Sequence, residues 1–431
     1  MSKISSSGFR VPLVWRILVG FVLGVAGGLL MQRFASPQAL ARILPILAPF
    51  GGVLVAMLKM VVYPIIFFSL VLGAASLPLR QSGKVGGQVI AWYSLTSLVA
   101  AVLGVALALA LNPSMAHPGA AAAAHAGAAQ AMAGKAQAGG TFAAFFVGLF
   151  VNPFEALAAG NFLPIIVFAI LFGVAARCLL DGGDAKAEGP VRSLLTVCDG
   201  AQRISFKLID WVMLYFPIGV FALSFTNFAK NGPLLFGPYV RIVLCVVTCV
   251  LAMMFVVYPA AIAAFRRENP FRVLARLRAP MLTGFVTRSS AATLPVSFRA
   301  MDEAGVPRAV SSFSLPLGAT VNMDGVCVHL PVFAILAANM FGQDLSAVQL
   351  LTLVVSVMFA SIGAGGVPGG SVFLLFMVLE NMGLGTDQVA MIVALALGIN
   401  PILDMFETCC NVTGDNVCTY VVGAPRITNK Q

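Results

Sequence analysis

The sequence predicts an all-α, polytopic membrane protein with about eight transmembrane helices and two re-entrant helical hairpins. The mean hydropathy is +0.97. Only 10% of the 431 residues are charged, whereas a soluble domain carries about 25% charged residues. Apolar runs long enough to cross a bilayer recur along the chain, and the last runs have polar centres. This composition argues against the alternative of a soluble protein with amphipathic helices.

Six apolar runs predict ordinary spans. The first, residues 14–31, is interrupted only by Arg16 and is longer than the core of a signal peptide, so we interpret it as a true span. The six predicted spans cover residues 14–32, 46–77, 88–111, 141–178, 196–228 and 236–265.

Basic residues are distributed unevenly among the loops. The net charge is +10, and loops with several lysines or arginines alternate with loops that hold few. By the positive-inside rule, this alternation predicts a multi-pass protein of the cell membrane with its N-terminus in the cytoplasm, and no nucleic-acid partner is needed to explain the charge. The basic loops hold Arg80 and Lys84, then Lys186, Arg192, Arg203 and Lys207, then Arg266, Arg267, Arg272, Arg276 and Arg278.

Three features, the loop after the third span, the cysteines and the histidines, predict no chemistry of their own. Residues 112–140 are rich in Ala and Gly and nearly uncharged, which predicts an external low-complexity loop. The eight cysteines lie mostly in apolar runs without the spacing of a zinc site, so we interpret them as packing residues. His117 and His125 belong to the loop, and His329 is a lone histidine in an apolar run, so no metal role is expected for any of them.

Three later segments are interrupted at their centres. Residues 279–298 carry Arg288, Ser289 and Ser290 midway, which predicts two half-helices joined by a polar turn. Residues 318–325, with sequence GATVNMDG, and the Gly/Pro-rich residues 363–370 divide two further apolar segments. Non-helical backbone at membrane depth is tolerated only when it is buried in protein or lines a wet cavity. Two hairpins, each followed by a polar-centred helix, predict an inverted repeat and a secondary transporter.

A polar stripe follows near the C-terminus. At about 100° per helical residue, five side chains fall on one face roughly 100° wide. Because apolar residues flank them, they are expected at membrane depth, where each charge needs an ion, a substrate or a polar partner. The five residues are Asp404, Glu407, Thr408, Asn411 and Asp415.

These segments resemble one known family. The motifs TRSSAATLP, GATVNMDG, SIGAGGVPGG and DMFETCCNVTGD, in this order, are similar to those of the dicarboxylate/amino acid:cation symporters, which share the glutamate-transporter fold. The resemblance implies a homotrimer in the lipid bilayer whose protomers work alone. It implies a scaffold of residues 1–87 and 141–235, and a transport domain of residues 88–111 and 236–431 that moves as an elevator, with the second hairpin as external gate.

The resemblance also implies three sodium sites built from oxygen ligands, which suit a hard cation. The first would use the carbonyls of Gly318 and Asn411 with the carboxylate of Asp415. The deeper second site would use Tyr93, Thr96, Ser97, Asn322 and Asp324, and the third Thr320 with carbonyls around Ser361, Ile362 and Ala364.

For the substrate, the resemblance implies an amino acid whose α-ammonium group pairs with Asp404. Asn411 and the residues Ser289 and Ser290 would hold the α-carboxylate. Val326, Val367 and Thr408 complete the implied pocket.

The pocket departs from the acidic-substrate members at Glu407, where those transporters carry an arginine. Two like charges 4 Å apart repel by about 4 kcal/mol at an effective dielectric constant of 20, so an ionised Glu407 is expected to exclude glutamate and aspartate. Val326 and Asn400, in the same pocket, also differ from the residues that are common at these positions in the family. We therefore expect a small polar neutral amino acid, as in the serine/threonine branch. Alternatives are a cationic amino acid, a dicarboxylate, proton coupling through Glu407, and a structural pair of Glu407 with Arg288.

Other classes of protein fit less well. An intramembrane enzyme would need a nucleophile and a base, and Ser289 or Ser290 with Asp404 is the only candidate set, so no enzymatic activity is expected. An ion channel would explain the broken hairpins but not the polar stripe with its ammonium partner. Sodium-coupled symport of an amino acid is the prediction.

Overall fold

The computed structural model describes residues 13–75, 83–111, 147, 149–159, 162–183, 185–362 and 369–423. Within these ranges the regular structure is helical, and eight helices are long and apolar enough to cross a membrane. The predicted all-α, multi-pass fold is therefore confirmed. The predicted loop at residues 112–140 lies outside the described residues.

The first half of the chain forms long helices. Their lengths exceed one bilayer crossing in two cases, because α2 and α6 span 39 and 47 residues. The helices are α1 (Leu13–Phe34), α2 (Pro37–Ala75), α3 (Gly83–Leu111), α4 (Pro153–Ala159), α5 (Phe162–Gly182) and α6 (Ala185–Asn231).

The next span is locally widened. Helix α7 (Phe236–Ala252) continues through a π-helical turn, Met253–Val257, into α8 (Tyr258–Arg266). Such turns shift the side chains that follow them. A short helix, α9 (Pro270–Arg276), begins at Asn269, whose side chain accepts hydrogen bonds from two backbone N–H groups.

The first hairpin has the predicted polar turn. Helix α10 (Arg278–Thr287) ends at Arg288, which adopts left-handed geometry with φ 54°. Helix α11 (Ser290–Glu303) begins after Ser289, whose hydroxyl accepts a hydrogen bond from the N–H of Ala292. The following segment is broken as predicted, into α12 (Arg308–Val321) and α13 (Asp324–Met340), with Asn322 and Met323 between them.

The second hairpin comprises α14 (Ala347–Ser361) and α15 (Gly370–Asn381), and α16 (Thr386–Gly423) follows. The connection at residues 363–368, including the predicted site residues Ala364 and Val367, lies outside the described residues. The two hairpins precede α12–α13 and α16, which is the order that the sequence predicted.

The helices pack in two groups. In the first helix group, α1 and α2 lie along α6, and α2 also packs on α5. In the second helix group, α3 and α7 pack on α13, while α16 contacts α10, α12 and α13. Residues 324–338 of α13 are all buried, so the broken helix and α16 form the interior of the second group.

Glycines allow the close approach of α1 to α6. A Cβ atom added to Gly20, Gly24 or Gly28 would lie 2.5–2.6 Å from a backbone oxygen of α6. Their spacing of four residues places all three on one face of α1, as in the small-residue interfaces of membrane helices.

We expect Gly24→Ala to lower the stability of the protein by about 1–3 kcal/mol, because the new methyl group overpacks this interface. Gly52→Ala is the matched control, since no atom lies within 4 Å of its added Cβ, and it should be neutral or mildly stabilising. Thermal unfolding of both variants in detergent measures the difference. Equal melting temperatures would contradict the packing argument.

Candidate functional site

The tip of the first hairpin meets the middle of α16. A guanidinium nitrogen of Arg288 lies 3.6 Å from a carboxylate oxygen of Asp404. The same oxygen accepts a hydrogen bond of 3.0 Å from the N–H of Gly369, at the start of α15. Asp404 is only 5% exposed. Both hairpins therefore converge on one buried carboxylate.

Asn411 ties α16 to the beginning of α13. Its side-chain oxygen accepts a 2.7 Å hydrogen bond from the N–H of Gly325, and its amide nitrogen donates to the sulfur of Met323. A Cβ at Gly325 would lie 2.4 Å from the carbonyl oxygen of Glu407, so this contact requires glycine. Free N–H groups at a helix start favour polar oxygen partners.

Asp415 lies one helical turn beyond Asn411 and contacts the break between α12 and α13. Its carboxylate accepts a 3.0 Å hydrogen bond from the side-chain amide of Asn322. Gly318 lies against the same carboxylate, since an added Cβ would be 2.5 Å from it and 2.6 Å from the Tyr93 hydroxyl. The Gly318 carbonyl accepts a hydrogen bond from the N–H of Asn322. The Tyr93 hydroxyl donates a hydrogen bond to the carbonyl of Ser314.

Asp324 has hydroxyl partners from two other helices. Ser97 of α3 donates to one carboxylate oxygen at 3.0 Å, and Tyr258 of α8 donates to the other at 2.7 Å. Thr96 donates to the side-chain oxygen of Asn322 at 3.2 Å. The structure thus brings together Thr96, Ser97, Asn322 and Asp324, four of the five residues implied for the deeper sodium site. The hydroxyl of the fifth, Tyr93, lies beside Gly318, which also lies against Asp415.

Tyr258 was missed by the sequence analysis. It follows the π-helical turn directly and is fully buried, and its hydroxyl also donates to the carbonyl of Cys410. A tyrosine before a proline inside an apolar span was its only signal. The π-helical turn that sets its direction leaves no clear pattern in the sequence.

The residues of the implied third sodium site are bonded locally. Thr320 donates to the carbonyl of Leu317, and Ser361 donates to the carbonyl of Met358. Ile362 ends α14. The three pocket residues Ser290, Val326 and Thr408 are each at most 5% exposed.

Glu407 contacts a base that the sequence analysis did not assign to it. A Glu407 carboxylate oxygen is in direct contact with Nδ1 of His329, and both side chains are at most 1% exposed. The alternative pairing of Glu407 with Arg288 is not observed, because the guanidinium lies against Asp404. A histidine on α13 and an acid on α16 meet only because these two helices pack together.

Asp324 and Asp415 share one electrostatic property. Each is at most 3% exposed, and within the described residues neither forms an ion pair with lysine, arginine or histidine. Their partners are neutral hydroxyl and amide groups. A charged carboxylate in such a place is costly unless a cation accompanies it.

Broken helices around buried carboxylates, within a multi-pass membrane fold, define a membrane transporter of the secondary class. The family model described as "Sodium:dicarboxylate symporter family" matches residues 13–424. The chain belongs to this family of sodium- or proton-coupled symporters of amino acids or dicarboxylates, and its members are transporters rather than enzymes.

Individual relatives differ in the substrate that their names state. The neutral amino acid transporter B(0) of Bos taurus is 33% identical over 94% of this chain and 78% of its own length. The serine/threonine transporter SstT of Bifidobacterium adolescentis is 31% identical over 94% of this chain and 87% of its own. The proton/sodium-glutamate symport protein of Bacillus caldotenax is 29% identical over 96% and 94%. Similar identities thus accompany neutral and acidic substrates.

We expect Tyr258→Phe to lower the free energy of unfolding by about 1.5–3 kcal/mol, the range for a hydrogen bond to a charged group. Tyr215→Phe is the control, because its hydroxyl donates to the neutral carbonyl of Phe50 at an exposed position and should cost at most about 1 kcal/mol. Unfolding in detergent without sodium measures both. Equal losses would show that the Tyr258 hydroxyl does not support a charged Asp324.

Proposed function

We propose that this protein is a sodium-coupled symporter that carries a small polar neutral amino acid into the cytoplasm. The observation that carries the proposal is the pair of buried carboxylates, Asp324 and Asp415, whose partners in the described part of the chain are neutral. A transported cation would offset both charges.

Sodium is the cation that these oxygen donors suit. Hydroxyl, amide and carboxylate oxygens are hard ligands, and one carboxylate per site favours a monovalent ion. The site at Asp324 would use Tyr93, Thr96, Ser97 and Asn322; Ser97 donates to that carboxylate, and Thr96 donates to the side-chain oxygen of Asn322. The site at Asp415 would use the carbonyls of Gly318 and Asn411, and the third site Thr320 with carbonyls near Ser361.

The substrate would bind between the hairpin tips and α16. Asp404 would pair with the α-ammonium group, because a carboxylate offsets the desolvation of that charge. Ser289, Ser290 and Asn411 would hold the α-carboxylate. Arg288, which lies 3.6 Å from Asp404, would keep this carboxylate compensated when no ammonium group is present.

The side-chain end of the pocket supports a neutral substrate. It holds Glu407 rather than an arginine, so it lacks the group that would bind a second carboxylate. The acid also gives a reason to test a cationic amino acid, which is the second candidate. Names of relatives that state neutral amino acids or serine and threonine agree with the first candidate.

An elevator movement would carry the site across the membrane. The scaffold, residues 1–87 and 141–235, would contain the first helix group, and residues 88–111 and 236–431 would form the moving part. An apolar cavity of about 290 Å3 lies between part of the two, with Leu70 and Ile170 on one side and Leu317 and Met358 on the other. Loose apolar packing at this place supports the proposed movement of one part along the other. We further propose a homotrimer with a cytoplasmic N-terminus.

Asp324→Asn and Asp415→Asn should each abolish sodium-driven uptake of amino acid in proteoliposomes, because the cation loses its charged ligand. Trimers should still form, since neither residue belongs to the proposed scaffold. Asp210→Asn is the matched control, because Asp210 forms an exposed pair with Lys207 and should retain uptake. Uptake by both buried variants, or loss of trimers in both, would make these aspartates structural residues.

Substrate binding should require sodium and Asp404. In a thermal-shift screen of the twenty amino acids, a ligand at a hundred times its Kd stabilises by about 2.7 kcal/mol. We expect the largest shift from serine, threonine or a similar neutral amino acid, and only in sodium buffer. Asp404→Asn should remove every shift, because all amino acids share the α-ammonium group. A shift of equal size in choline buffer would contradict sodium coupling.

A further inference from the structure

A buried imidazole lies beside the acid that distinguishes this pocket. The contact joins Nδ1 of His329 on α13 to a carboxylate oxygen of Glu407 on α16. The ring of His329 stacks on Phe333 with 4.7 Å between ring centroids, which fixes its plane. Both side chains are closed to solvent, so their charges act on each other without water between them.

The two groups depend on each other for charge compensation. Neither ring nitrogen of His329 and neither carboxylate oxygen of Glu407 makes a hydrogen bond to any other described residue. A buried carboxylate without a partner is costly in its charged form. An imidazolium ion in contact with this carboxylate would compensate its charge.

The neighbouring acids have partners of their own, so they do not compete for His329. On α16, Asp404 precedes Glu407 by one helical turn and lies against Arg288. Three further carboxylates accept hydrogen bonds elsewhere: Asp324 from Ser97 and Tyr258, Asp415 from Asn322, and Glu380 from Tyr63.

We propose that His329 is a specificity-determining residue: as an imidazolium ion it neutralises Glu407, and the side-chain end of the pocket therefore admits an uncharged side chain. Two acids, Asp404 and Glu407, are then balanced by two bases, Arg288 and His329. Without His329, the unpaired carboxylate would attract a cationic side chain instead. The inference rests on the proposed function, and His329 acts through Glu407 as a positioning residue rather than as a substrate contact.

The charge on His329 can be measured without any transport assay. The chain has three histidines, so the variant His117→Gln/His125→Gln leaves His329 as the only one. Nitrogen-15 NMR of this variant, labelled at histidine and held in lipid at neutral pH, should show both ring nitrogens protonated. Adding Glu407→Gln should give a neutral ring. A neutral ring while Glu407 is intact would overturn the proposal, whether or not the protein carries amino acids.

A double-mutant cycle tests the consequence for binding, with serine, arginine and aspartate as probes in sodium buffer. His329→Gln should weaken serine binding about tenfold to a hundredfold and favour arginine relative to serine. Adding Glu407→Gln to it should restore serine binding to within about threefold of the wild type, because the uncompensated charge is removed.

The cycle separates this role from two others. If His329 only packs against Phe333, the double variant should bind serine as weakly as His329→Gln does. If Glu407 contacts the substrate itself, Glu407→Gln should weaken serine binding by the same factor with and without His329. Either result overturns the proposal. If the wild type binds none of the three probes, that result would instead contradict the proposed function. The NMR measurement would still decide the charge on His329.

Discussion

The cost of holding charge at membrane depth is the constraint on which this structure depends. Four carboxylates, on Asp324, Asp404, Glu407 and Asp415, are each at most 5% exposed. They have different kinds of partner. Asp404 lies against Arg288, Glu407 against His329, and the other two against neutral hydroxyl and amide donors. Because every buried charge needs compensation, the two neutral environments are where a transported cation has most to contribute.

Breaks in the helices make these arrangements possible. An intact helix satisfies its own backbone groups, whereas the breaks at Arg288 and at Asn322 leave N–H groups and side chains free to meet α16. Glycine is essential where backbones touch, and the approach of Gly325 to the carbonyl of Glu407 is the tightest example in the site. The polar centre therefore exists because the surrounding helices are interrupted and closely packed.

Charge balance gives a physical basis for substrate choice. In a pocket with equal numbers of positive and negative side chains, a bound amino-acid zwitterion can take the place of one internal ion pair. The net charge of the pocket then stays the same. A surplus acid or base would favour a charged side chain of the opposite sign. The pair Arg288–Asp404 and, in the charge state that we propose, the pair His329–Glu407 supply such a balance at the two ends of the proposed pocket.

The sequence by itself determined the helices, the two broken hairpins, the break at GATVNMDG and the polar stripe on α16, because hydropathy and helical periodicity are local properties. It also indicated which oxygen donors belong to the deeper site, through a family resemblance. Only the tertiary structure decided the partners: His329 for Glu407, Arg288 for Asp404 and Tyr258 for Asp324. The members of each pair lie on separate segments. Their contact depends on how α8, α13 and the first hairpin pack against one another and against α16, which no local pattern encodes.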